Sequence, residues 1–193
     1  MHLHPRLVCA ALSGLICVQA SAVDCQAELK NRLQNDLGLS YKAFDQTVGK
    51  GMRVLAHMGC SKEAADLILV YMQMNKDFTP SMTWHVAQQR AMQGEHVIAA
   101  QYGRMSLKET ENFAVQPLRW NDYVLATIAF LERDLAKLKT HRNKVAEAKA
   151  TFWGNEMNLK ILDKLVNNFG KGYKEATAAP EIPHDIQPRL PAP

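Results

Sequence analysis

The stretch WNDYVLATIAFL, from Trp120 to Leu131, decides the fold class. Trp120, Tyr123, Val124, Thr127, Ile128 and Leu131 recur at i, i+3, i+4, i+7, i+8 and i+11, which is one face of a helix turning every 3.6 residues. A half-buried strand would alternate with period two, and the chain contains no sustained run of that kind. Leu159, Leu162, Leu165, Val166 and Phe169 form a second helical stripe. Cys25, Leu29, Leu33 and Leu37 form a third, which places Cys25 on the core-facing side of its helix.

Punctuation extends this pattern in both directions. Gly38, Gly59, Gly94 and Gly170 each follow a helical stretch, where a left-handed residue stops a helix. Ser40, Ser61, Asn155 and Asp134 stand at capping positions, and Thr79-Pro80 puts proline at a helix start. The spacing predicts helices over 24–37, 41–58, 62–75, 81–93, 95–107, 119–133, 135–150 and 156–169, with a short last turn at Tyr173–Thr177. Short linkers make neighbours antiparallel. The expected class is therefore all-α: stacked antiparallel helical hairpins, as a repeat array or an irregular bundle.

Both ends read differently. Leu7 to Ala20 is an apolar run too short to span a bilayer, and it leads to the small-x-small sequence Ala20-Ser21-Ala22. Residues 1–22 are expected to be a cleaved signal peptide, which gives a periplasmic or secreted chain with no membrane span. Residues 23–177 are expected to form one all-helical domain. From Ala178 the sequence AAPEIPHDIQPRLPAP holds five of the eight prolines, a composition expected of a polyproline-like, disordered tail.

The whole chain carries 23 Lys+Arg against 19 Asp+Glu, a formal net charge of +4. Cleavage would remove Arg6, Cys9 and Cys17. A charge this mixed, in an exported chain, argues against nucleic acid. Cys25 and Cys60 remain as an even pair in an oxidising compartment, most simply a disulfide. Neither C-x-x-C spacing nor a lone activated thiol points to redox chemistry.

Trp84, Trp120 and Trp153 are spaced by 36 and 33 residues, near the ~34-residue period of one helical-hairpin family. Trp84, Ala87, Ala91, Gly94, Ala99, Ala100 and Tyr102 set out an early aromatic, small residues, a turn and a second helix that opens small. Trp120, Tyr123, Ala126, Ala129 and Asp134 follow the same order, as do Leu159, Leu162, Val166, Gly172, Tyr173 and Ala176. On these residues, 81–177 resembles tetratricopeptide repeats. Leu138 stands where that pattern wants a small residue, Trp153 precedes its predicted helix, and Lys108–Leu118 is long for a linker of the family.

The resemblance implies a groove lined by the first helix of each hairpin, in which polar side chains clamp an extended peptide. It places His85, Gln89, Asn121 and Asp122 there, with Asn158 and Asn168 beside them. The densest basic run, KLKTHRNK, offers Lys137, Lys139, Arg142 and Lys144 to an acidic partner, or simply to solvent. No zinc-protease pair, nucleophile elbow or phosphate loop appears around the histidines or elsewhere. Glu109 and Glu111 read as a solvated acidic loop. The expected function is a non-enzymatic protein- or peptide-binding module without metal or cofactor. The alternative is an inhibitor or immunity protein that neutralises a secreted toxin or enzyme through its basic helix.

Overall fold

The computed structural model describes residues 23–178; the expected signal peptide and the sequence from Ala179 onward lie outside the described residues. The elements are α1 (Cys25–Asn35), a π-helical turn (Lys42–Gln46), α2 (Met52–His57), α3 (Ser61–Asn75), α4 (Pro80–Met92), α5 (His96–Met105), α6 (Trp120–Leu131), α7 (Leu135–Glu147), α8 (Trp153–Asn167) and α9 (Tyr173–Thr177). The fold is all-α, with no strand among the described residues. Consecutive helices pack as neighbouring pairs, and no helix there is long and apolar enough to cross a membrane.

Local chemistry accounts for several helix ends. Asp24 and Asp134 cap α1 and α7, their carboxylates accepting the N–H groups of Ala27 at 3.0 Å and Lys137 at 2.9 Å. Thr79 is extended and Pro80 opens α4, where its missing N–H costs nothing. Gly59 and Gly94 take positive φ at helix ends as expected, whereas Gly38 and Gly170 do not.

The single helix expected over 41–58 is instead a π turn and the separate helix α2. Phe44, Met52 and Leu55 keep a helical spacing across the break and all are buried, so apolar periodicity alone reads straight through it. The break lies in Val48-Gly49-Lys50-Gly51, where both glycines have positive φ. A Cβ on Gly51 would sit 2.1 Å from the Phe44 carbonyl oxygen, so this approach of two backbones needs glycine. At α8 the helix starts earlier than expected: Trp153 is its first residue, 72% exposed, and Asn155 is a buried third residue instead of a cap.

Two apolar clusters share α4. Phe44, Met52, Leu55, Leu67, Ile68 and Tyr71 fill the N-terminal one together with Met82 and Val86 of α4. Trp84, Ala87 and Ala91, from the same helix, join Val124, Ile128, Phe130, Leu138, Leu159 and Leu162 in the C-terminal one. The second stripe read from sequence is buried at Leu159, Leu162 and Leu165, with Val166 and Phe169 packed against it. On α6 the stripe is buried from Tyr123 to Leu131, while Trp120, at its start, is half-buried and donates its indole N–H to Ser106 O at 2.8 Å. Gly103 lets α5 come close to α6, since a Cβ there would meet Ile128 Cγ1 at 3.0 Å.

Cys25 and Cys60 are bridged, with their α-carbons 5.4 Å apart. The bridge ties the first residue of α1 to the residue that precedes α3. No residue of α1 is fully buried, so this helix depends on the tether more than its neighbours do.

Candidate functional site

The chain order places α4, α6 and α8 as the first helices of successive hairpins. Short α9 does not extend the stack beyond α8; it turns back and also packs against α4. Tyr173 and Ala176 of α9 are buried in the C-terminal cluster, and the Tyr173 ring meets Phe130 edge-on at 6.2 Å. Arg133 fixes the approach, donating to the Phe169 carbonyl at 2.5 Å and the Lys171 carbonyl at 2.9 Å. Lys164 Nζ donates to the carbonyls of Thr177 and Ala178 at 3.2 Å each.

This crossing leaves two clefts that share Met92 and Tyr173. The smaller, about 190 Å³, is lined by Gln88, Gln89, Met92, Tyr123, Ile161, Tyr173 and Thr177, so α4, α6, α8 and α9 all contribute to it. The larger, about 500 Å³, lies between the α4–α5 turn and α9, with Met92, His96, Tyr173, Lys174 and Ala178 among its lining residues. Gln88 Nε2 reaches Tyr123 Oη only at 3.5 Å. The Gln89 Oε1 atom is buried and has no hydrogen-bond partner, an acceptor that costs free energy until a donor reaches it.

Burial governs the titration of these groups. The Tyr123 hydroxyl is pushed up to about 12, chiefly by loss of solvent, and burial raises Tyr173 as well. Both phenols are neutral near pH 7 and present O–H groups. His96 is pushed below its ordinary value by burial and by the charge of Arg133.

Of the residues that the resemblance placed in a groove, only Gln89 lines one of these two clefts. His85 Nδ1 lies 2.6 Å from the buried Asp45 carboxylate, off the hydrogen-bond axis, with Arg53 of α2 3.7 Å from the same oxygen. Asn121 pins the Lys108–Leu118 connection, accepting from Lys108 N and donating to Lys108 O, both at 2.8 Å. Glu111 belongs to the same brace, its carboxylate accepting from Asn121 N at 3.1 Å. Asp122 is buried between α6 and α7, 2.8 Å from His141 Nδ1, 3.5 Å from Lys144 and 3.9 Å from Arg119. Asn168 donates to Lys164 O at 3.0 Å, and Asn158 stands half-buried on α8.

The basic run is largely matched from within. Lys137 pairs with Asp134 at 3.2 Å, Arg142 with Asp163 at 2.6 Å and Lys144 with Asp122. Lys139 is exposed and lines a third cleft, about 260 Å³, with Arg142, Asn143 and Asp163. Cys25, Cys60 and Glu63 bring potential metal-ligand atoms within 4.8 Å of one another, but both sulfurs are spent in the disulfide. The Glu63 carboxylate accepts from Gln26 Nε2 at 2.6 Å.

Gln88, Met92, Ile161 and Tyr173 were not marked as site residues in the sequence. The Gln88-Gln89 pair on the first helix of a hairpin was the available signal, but it takes the fold of α9 back onto α4 to enclose both glutamines in one cleft. No protein-family model, curated protein or solved structure matches the chain.

Proposed function

We propose that this chain is an exported, non-enzymatic helical module, tetratricopeptide-like over 81–177, which binds a short extended segment of another protein along the clefts between α4, α6, α8 and α9. The observation that carries the reading is the buried, unpartnered Oε1 of Gln89, a residue that lines a mixed polar and apolar cleft formed by four helices. A peptide backbone N–H is the donor that such an acceptor lacks, and an apolar side chain suits Met92, Ile161 and Tyr173. The disulfide fits an extracytoplasmic location, periplasmic or secreted. The inhibitor alternative would use α7, where Lys137, Arg142 and Lys144 are already paired within the chain, so it receives less support.

The test is selection of binders from a displayed peptide library on the chain from Val23 to Pro193, followed by affinity measurement on variants. Gln89→Ala is expected to weaken the selected peptides about tenfold, the ~1.4 kcal/mol value of one hydrogen bond to a buried group. Lys137→Ala on α7 is expected to leave affinity unchanged. Equal affinity for Gln89→Ala and the parent chain would overturn the proposal.

A further inference from the structure

We infer that the smaller cleft takes one tyrosine side chain of the partner and recognises its hydroxyl through Gln88. This rests on the groove reading above and names the residue that anchors the bound segment. The cleft holds about 190 Å³, below the ~300–1,000 Å³ of pockets that enclose a drug-sized molecule, so it admits one side chain and no longer stretch. Gln88, Gln89, Met92, Tyr123, Ile161, Tyr173 and Thr177 line it, and none of them carries a charge. The charges nearest along the chain are engaged elsewhere. Arg90, beside Gln89, pairs with Asp66 at 2.5 Å and Glu95 at 3.2 Å, and Lys164, three residues past Ile161, binds the carbonyls of Thr177 and Ala178. Asp122, before Tyr123, faces His141, while Lys174 and Glu175, after Tyr173, line the larger cleft. An ionised side chain entering the smaller cleft would lose its hydration without gaining a counter-charge.

The walls suit a ring. Tyr123 is held edge-on against Trp84 at 5.4 Å and Tyr173 against Phe130 at 6.2 Å, so both aromatic walls are fixed before anything binds. Met92 and Ile161 complete the apolar surface, and a thioether adapts readily to an aromatic face. The polar end is Gln88, whose amide lies beside both phenol hydroxyls. Its Nε2 meets Tyr123 Oη only at 3.5 Å, and so weak a bond leaves the amide free to turn toward an occupant. Thr177 offers no competing proton, because its Oγ1 donates to the Tyr173 carbonyl at 2.8 Å. Gln88 Oε1 then accepts the partner's hydroxyl proton while Gln89 Oε1 is left for a backbone N–H, so adjacent amides read side chain and main chain. Phenylalanine would fill the walls but leave the polar end unmatched. A carboxamide would match Gln88 but leave Met92 and Ile161 uncovered. Tyrosine satisfies both ends.

The test needs no selected peptide. The chain from Val23 to Pro193 is titrated with N-acetyl-tyrosinamide and, separately, with N-acetyl-phenylalaninamide, and the side-chain amide signals of Gln88 are followed by NMR. The tyrosine compound is expected to shift those signals and to bind at least fivefold more tightly than the phenylalanine compound. Gln88→Leu is expected to abolish that difference, the coupling that a direct contact requires. Equal affinity of the two compounds for the parent chain would overturn the inference. So would shifts confined to His96 and Lys174 of the larger cleft, or no shift at the highest soluble concentration. Peptides selected on the groove are expected to carry tyrosine at one fixed position, where phenylalanine weakens binding about tenfold, the value of one hydrogen bond to a buried group. If selected peptides depend on Gln89 but do not distinguish tyrosine from phenylalanine, the binding function stands and the tyrosine pocket falls. If the tyrosine compound binds at Gln88 but Gln89→Ala changes no peptide affinity, the pocket stands and the extended-segment reading falls.

Discussion

Asn155 shows how much of this structure rests on single amides. It is wholly buried at the start of α8. Its Oδ1 accepts Arg119 N at 2.8 Å, while Nδ2 donates to Pro117 O at 2.9 Å, Ala148 O at 3.1 Å and Thr151 Oγ1 at 3.3 Å. One side chain thus joins the end of the long connection before α6, the end of α7 and the start of α8. Leucine keeps the branched four-atom shape, though it is bulkier, but satisfies none of these groups, and each buried polar group left unpaired costs about 1–3 kcal/mol. Asn155→Leu is expected to lower stability by about 2–4 kcal/mol, read as a fall in the urea midpoint at unchanged slope. A shift under about 0.5 kcal/mol, the scatter of ordinary surface substitutions, would show that water replaces the lost bonds. Asn121 and Asp122 follow the same logic. The repeat pattern marks them as polar residues beside an aromatic, but their partners (Lys108, His141 and Lys144) are fixed by loop closure and the α6–α7 packing.

Among the elements, α1 is the one whose stability is least its own. It buries no residue completely, and its stripe of Leu29 and Leu33 lies against the N-terminal cluster with partial cover. The disulfide spans a sequence separation of 35, and closing a loop of that length stabilises by roughly 3–4 kcal/mol in the chain-entropy account. Alkylation of the unreduced chain is expected to label neither Cys25 nor Cys60. A Cys25→Ser/Cys60→Ser chain is expected to lose about 3–4 kcal/mol, with amide exchange rising first in α1. Elements also mark the limit of what the sequence made legible. The stripes of α6 and α8 were plain because apolar spacing and burial coincide there. The break at Gly49 and Gly51 was hidden because the buried residues on either side preserve a helical period, and only the backbone contact with Phe44 reveals why the chain must turn. Tyr173 to Thr177 was recognisable as a helical turn, but its direction depends on Arg133, which takes φ 63° and binds two carbonyls of the connection between α8 and α9.

At the scale of the whole molecule that direction matters most, because α9 converts a row of hairpins into a partly closed body. An open array would couple each hairpin only to its neighbours, so a fault at one end would stay there. Here α9 packs on α8 and on α4, and Tyr173 lies in one cluster with Trp84, Tyr123 and Phe130. Removing the Tyr173 ring therefore deprives two distant segments of packing at once. By analogy with other buried aromatic truncations, Tyr173→Ala is expected to cost about 3–5 kcal/mol. The discriminating measurement is where native-state amide exchange accelerates. If α9 closes the body, protection falls in the C-terminal half of α4 around Ala87–Ala91 as well as in α8, while α2 and α3 in the N-terminal cluster keep theirs. Loss confined to α8 and α9 would mean that the contact with α4 carries no stability. The chain would then behave as an open array whose clefts need no rearrangement to admit a partner.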